Sequence, residues 1–192
     1  MGDEDPLSDA SERDGYHPVA KVLHWSMVIA LTLQFVVGYA IDRADDLLEW
    51  VVEAWLGGVE DRLVLVHAGL GLLILALACS RLAWRRIVGL PPWAPGLSDG
   101  ERRVAHRVEQ VLYLLLFLLP LSGLALLFLS GEDWDLGGGR RLRSPVEVID
   151  DDVLLGAHIA TQLAFFAALV VHVGLVLKHQ LTDRDGLLRR ML

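Results

Sequence analysis

Four histidines, His24, His67, His158 and His172, fall inside long apolar runs. Histidine in hydrocarbon is costly unless it coordinates something or faces a polar interior. His158 and His172 are 14 residues apart. On a helix that spacing is about 21 Å along the axis and about 40° short of four full turns. One helix can therefore present two imidazoles to the same side, one near each end. Each ring needs a partner at its own depth. His67 lies as near the start of its apolar run as His158 does. His24 opens its run at the end where His172 sits. The expected pairs are thus His67 with His158 and His24 with His172. Two imidazoles fill both axial positions of a haem iron, which suits electron transfer rather than oxygen binding. Two such irons would lie about 20 Å apart.

The rest of the inventory narrows the chemistry. The single cysteine, Cys79, cannot form an internal disulfide, and no CxxCH is present for covalent haem attachment. Cysteine clusters for zinc or iron–sulfur centres are absent too. Any haem is therefore non-covalent and of b type. His179, seven residues beyond His172, faces the same way. It lines a polar pocket such as a quinone site or replaces His172 as ligand. His17 and His106 read as interfacial. Lys21, Arg81, Lys178 and Arg184 are placed to meet haem propionates, with membrane topology and snorkelling as the competing explanation. Gly69, Gly71, Gly156, Ala157 and Gly174 leave room either for a flat macrocycle or for close helix packing. A site for loosely held divalent ions would want carboxylates in mid-span, and none is there.

These residues need helices to hold them. The chain is 54% hydrophobic, with a mean hydropathy of +0.45. About 20 apolar residues cross a bilayer core, and four stretches qualify: residues 22–41, 63–82, 108–129 and 153–178. The expected fold is an all-α transmembrane four-helix bundle over residues 19–192, after an acidic tail, 1–18. A soluble bundle would need polar stripes that the last three stretches lack. From the end of the second span to the start of the third lie Arg81, Arg85, Arg86, Arg102, Arg103 and Arg107 against Asp99 and Glu101. Residues 42–62 and 131–152 carry seven carboxylates each. Basic loops face the cytoplasm, so both termini are expected there. The net charge of −8 and this placement of arginines argue against a nucleic-acid partner.

The connections carry further expectations. Residues 46–60 read as a short interfacial helix anchored by Trp50 and Trp55, or as a plain loop. Residues 90–103 read as a structured turn region. The stretch GEDWDLGGGRRLRS reads as flexible, with Arg140, Arg141 and Arg143 as the outer basic cluster. Pro120 and Gly123 are expected to kink the third span, and Tyr113 to form a polar contact inside it.

An ordered set of short motifs matches a known family. It comprises Leu23-His24-Trp25, His67-Ala68-Gly69, Ser80-Arg81-Leu82, Pro91-Pro92-Trp93-Ala94-Pro95, Ala105-His106, Leu112-Tyr113-Leu114-Leu115 and Leu119-Pro120-Leu121-Ser122-Gly123. His158, His172 and Leu177-Lys178-His179 through Arg184-Asp185-Gly186-Leu187-Leu188-Arg189 complete it. The chain resembles the prokaryotic cytochrome b561 family of four-helix, dihaem membrane cytochromes over residues 16–192. The resemblance implies that His24, His67, His158 and His172 are the axial ligands of two b haems. It implies electron transfer between a periplasmic donor and the membrane quinone pool, ubiquinone or another quinone. Some members resemble superoxide oxidases, so superoxide:ubiquinone oxidoreduction is one expectation. A haem-b anchor subunit of a multisubunit dehydrogenase or hydrogenase is the alternative. Some relatives carry a histidine where Glu109 stands, and the loop after the first span is longer here than in compact relatives.

Overall fold

The computed structural model describes residues 15–43, 60–93, 97–135, 140–184 and 186–192. Four helices dominate: α1 Pro18–Arg43, α2 Glu60–Val88, α3 Asp99–Leu129 and α4 Asp151–Lys178. All four contain stretches long and apolar enough to cross a membrane. They run alternately up and down, so the start of α1 and the end of α4 share one end of the bundle. Strands β1 (Asp133–Asp135) and β2 (Arg141–Arg143) follow α3 at the other end. A five-residue π turn, His179–Asp183, and a 3-10 turn, Leu187–Arg190, finish the chain.

The helix ends have local causes. Proline at the first position of α1 loses no hydrogen bond there, because a first-turn N–H has no intrahelical acceptor. At α3 the Ser98 hydroxyl accepts from the Glu101 N–H at 3.3 Å, and the Glu101 carboxylate accepts from the Ser98 N–H at 3.0 Å. That reciprocal cap satisfies donors a helix start leaves open. Asp150 caps α4 by accepting from the Asp152 N–H at 3.1 Å. Arg85 and Arg86 end α2, where positive charge suits the helix dipole. Inside the spans, Thr32, Ser80 and Thr161 donate their hydroxyls to carbonyls four residues back, each at 2.8 Å. The donors of these three hydroxyls are thereby not desolvated without a partner.

Two helices are longer than their apolar runs. Helix α2 continues to Val88, so Arg81, Arg85 and Arg86 are helical rather than part of a loop. Helix α3 starts at Asp99, nine residues before the apolar stretch at 108, so Arg102, Arg103, His106 and Arg107 ride on its first turns. The turn region of residues 90–103 accordingly closes at Ser98. Hydropathy marks where hydrocarbon begins, whereas the helix ends where its cap lies. Helix α3 is assigned as one helix through Pro120.

The stretch after α3 is not simply a flexible loop. Asp133-Trp134-Asp135 pairs antiparallel with Arg141-Leu142-Arg143, in the register Asp133 to Arg143 and Trp134 to Leu142. Both triplets alternate charged and apolar residues, the period of a strand, and opposite charges face each other across the ladder. Arg143 Nε lies 3.8 Å from Asp133 Oδ1. The glycine run between the strands, the acidic tail through residue 14 and residues 46–59 lie outside the described residues.

The core is a thin slab halfway along the bundle. Met27 and Ala30 of α1 meet Ile74 and Ala78 of α2, Leu115 and Leu116 of α3, and Phe165 of α4. Alanines at the contact let the helix backbones approach. Phe165 is 1% exposed and lies seven residues from both His158 and His172. Phe35 packs on it and on Phe166, with ring centroids 5.8 and 4.4 Å apart. Outward positions such as Ile29, Val36, Leu163 and Val170 remain exposed apolar surface. Lipid is the solvent that suits such a surface.

Candidate functional site

Above and below the aromatic slab, the four span histidines meet in two pairs. The His67 and His158 rings have centroids 6.2 Å apart at 76°. Those of His24 and His172 are 6.5 Å apart at 66°. The structure thus makes the pairings expected from depth. Two metal–nitrogen bonds of about 2 Å, plus the inner halves of two imidazoles, come to about 6 Å. Both pairs therefore match the separation of two axial ligands on one iron.

The pair at the hairpin end is buttressed by side chains of other helices. The Ser122 hydroxyl lies 2.9 Å from His158 Nδ1. The amide of the buried Gln34 lies 3.0 Å from His67 Nε2. His67 Nδ1 and Gln34 Oε1 are both buried without a partner. Buried polar atoms are rarely left so, and an orphaned ring nitrogen is what a bound metal would satisfy. The residues present fit a haem in this respect. Glycines shape the same place, though not the ones expected. A Cβ on Gly38 of α1 would come within 2.9 Å of the His67 ring, and one on Gly123 of α3 within 3.2 Å of the His158 ring. Gly69, Gly156 and Gly174 face open space, and Gly71 faces Gln34 and Pro120. A cradle is formed by the helix opposite a ring, so proximity in sequence to a histidine was the wrong signal. Pairing Gly38 with His67 requires knowing that the end of α1 faces the start of α2.

Toward the same end as the other pair is a cavity of about 690 Å³, which the two rings do not themselves line. It lies at the end of the bundle that holds the chain termini, walled by Tyr16, Lys21, Arg81, Trp84, Glu109 and Tyr113 among others. Arg81 Nε donates to the Tyr113 hydroxyl at 3.1 Å, the polar contact expected inside α3. Arg81 Nη1 and Trp84 Nε1 are buried donors without acceptors. Arg81 is also close enough to act electrostatically on both His24 and His172. Arg85 forms a salt bridge to Glu109, whose other oxygen is 4.0 Å from His106 Nδ1. Burial, and after it the Glu109 carboxylate, raise the Tyr16 phenol above its ordinary pKa. It therefore stays protonated and able to donate. His17, beside it, stacks on Trp84 with centroids 5.0 Å apart.

The remaining candidates separate from this cavity. Lys178 Nζ binds Glu101 at 2.6 Å and Asp183 at 2.8 Å. The buried His179 ring faces Asp183 at 3.0 Å. Both belong to a charged clasp between α3 and α4. Arg184 sits in a left-handed backbone conformation at φ 52° as the chain leaves the π turn. Lys21 and Arg81 are the two cations of the expected four that reach the cavity wall.

The sequence model of the family described as "Prokaryotic cytochrome b561" matches residues 15–192. The chain is similar to cytochrome b562 of Cereibacter sphaeroides, 28% identical over 182 residues that cover 95% of this chain and 98% of that one. It is also similar to cytochrome b561 homolog 2 of Escherichia coli, 25% identical over 193 residues, covering 97% and 95%. A probable superoxide oxidase of Yersinia pestis is 27% identical over 129 residues, covering 67% and 73%. A four-helix membrane fold and a family match over nearly the whole chain lead to one conclusion: this chain belongs to the prokaryotic cytochrome b561 family, whose members transfer electrons in membranes with haem b.

Proposed function

We propose that the chain carries electrons across the bilayer, from a donor at the hairpin end to a quinone at the end holding the termini, with two b haems. His67 with His158 and His24 with His172 would hold them. The observation that carries this reading is the presence of two ring pairs, at 6.2 and 6.5 Å, on opposite sides of one aromatic slab. When bound, each haem would supply one-electron chemistry. The protein orients the imidazoles and keeps water from the middle of the path with Phe35, Phe165 and the leucines around them. Arg81 and Lys21 are the cations placed for haem carboxylates at the cavity end.

In this reading the same cavity receives a quinone headgroup. Its walls combine apolar surface with donors, and a reduced quinone oxygen needs donors because it gains negative charge. Tyr16 offers a phenol proton that burial keeps in place. Trp84 Nε1 is an unused donor beside it. We place this end at the cytoplasm because Arg85, Arg86, Arg102, Arg103 and Arg107 cluster there. Superoxide is the donor favoured by the Yersinia relative's name. The hairpin arginines give a local positive field on an otherwise acidic rim.

Stopped-flow mixing tests both ends. Superoxide should reduce the haems of the purified protein, and a short-chain ubiquinone should reoxidise them. Failure with superoxide but reoxidation by quinone would replace the donor. Failure to be reoxidised by any quinone would overturn the acceptor. Tyr16→Phe should raise the quinone KM about fivefold, the worth of one hydrogen bond, with haem content unchanged.

A further inference from the structure

The two histidine pairs are not equivalent. Ser122 makes two contacts, 2.8 Å to the Leu119 carbonyl and 2.9 Å to His158 Nδ1. A hydroxyl has one proton, and a carbonyl can only accept. Both contacts are satisfied together in one way: Ser122 donates to Leu119, and its oxygen accepts from His158 Nδ1–H. The proton on Nδ1 leaves the lone pair on Nε2. Among the described residues, neither His24 nor His172 has a hydrogen-bond partner. The Arg81 guanidinium acts on both rings, and the Glu109 carboxylate acts on His172 in the opposite sense but more weakly.

These differences act on a bound iron in opposite directions. An acceptor on the outer N–H of a ligand imidazole raises its basicity. A more basic ligand stabilises the ferric state and lowers the midpoint potential. A nearby cation disfavours the more positive ferric centre and raises the potential. Second-layer hydrogen bonds and local charge are recognised levers on haem potential. We propose that Ser122 is a positioning residue for His158: it fixes Nε2 as the metal-facing nitrogen and makes the haem of the His67–His158 pair the lower in potential of the two. This rests on the two-haem reading above.

The test is a spectroscopic redox titration of the holoprotein, with haem content and low-spin electron paramagnetic resonance measured on each sample. Wild-type protein should titrate in two steps, and His67→Ala should remove the lower one. Ser122→Ala and Ser122→Val should shift the lower midpoint upward and leave the upper one in place. Ser122→Thr, which keeps a hydroxyl, should return it toward wild type. Where a variant loses a haem, retention in Ser122→Thr but not in Ser122→Val supports the hydroxyl's role. Unmoved midpoints with both haems bound, movement of the upper step instead, or haem loss in all three variants alike would overturn it. A wild-type protein holding other than two haems would instead refute the reading beneath it.

Discussion

At the scale of single residues, a histidine in hydrocarbon is informative because few other roles would keep it there. The four span histidines and their pairing were legible from position alone, since depth along a helix follows from counting residues. Their supports were not. Ser122, Gln34, Gly38 and Gly123 act on a ring across a helix interface, and sequence separation does not reveal which residues face each other. His158→Ala should remove one haem and leave the other, which haem content per chain would show. Loss of both would mean that the two sites fold as one unit. Glycine substitutions discriminate more finely. Gly123→Ala places a methyl against the His158 ring, and overpacking of this kind costs about 1–3 kcal/mol. It should weaken or distort the haem at the hairpin end, seen as altered occupancy or low-spin signal. Gly156→Ala, two residues from His158 but facing open space, should leave that signal unchanged.

At the scale of elements, the apolar runs located the spans and missed their ends. Hydropathy reports the solvent a side chain prefers, whereas a helix continues until its backbone groups find another partner. Ser98 and Glu101 cap α3 well before its hydrocarbon begins, which puts Arg102, Arg103 and His106 on a rigid helix. Ser98→Ala should lower stability by about 1 kcal/mol, measured as a lower midpoint for loss of helical signal in detergent. The β1–β2 hairpin escaped notice because its two triplets are short and glycines separate them. Its alternating charge and cross-strand match were readable afterwards, once the register showed Asp133 opposite Arg143. The charged clasp of Glu101, Lys178, His179 and Asp183 was unreadable for a similar reason: Glu101 and Lys178 are 77 residues apart.

At the scale of the whole molecule, the proposed relay has two unlike ends. One end carries an acidic rim and a hairpin. The other carries arginines, a cavity and the last residues of the chain, where Trp25 Nε1 donates to the Met191 carbonyl at 3.0 Å and the Tyr16 N–H to the Arg190 carbonyl at 3.1 Å. The proposed orientation rests on the arginines, so a protease-sensitive tag on the C-terminus should be cut in inverted membrane vesicles and protected in intact spheroplasts. The reverse pattern would invert the direction assigned to the relay. The central claim is that two imidazole pairs hold two haems. Haem per polypeptide, measured by pyridine haemochrome on purified protein together with oxidised and reduced spectra, tests it directly. Two non-covalent, low-spin b haems per chain are predicted, and one haem or none in well-folded, haem-supplied protein would contradict the claim.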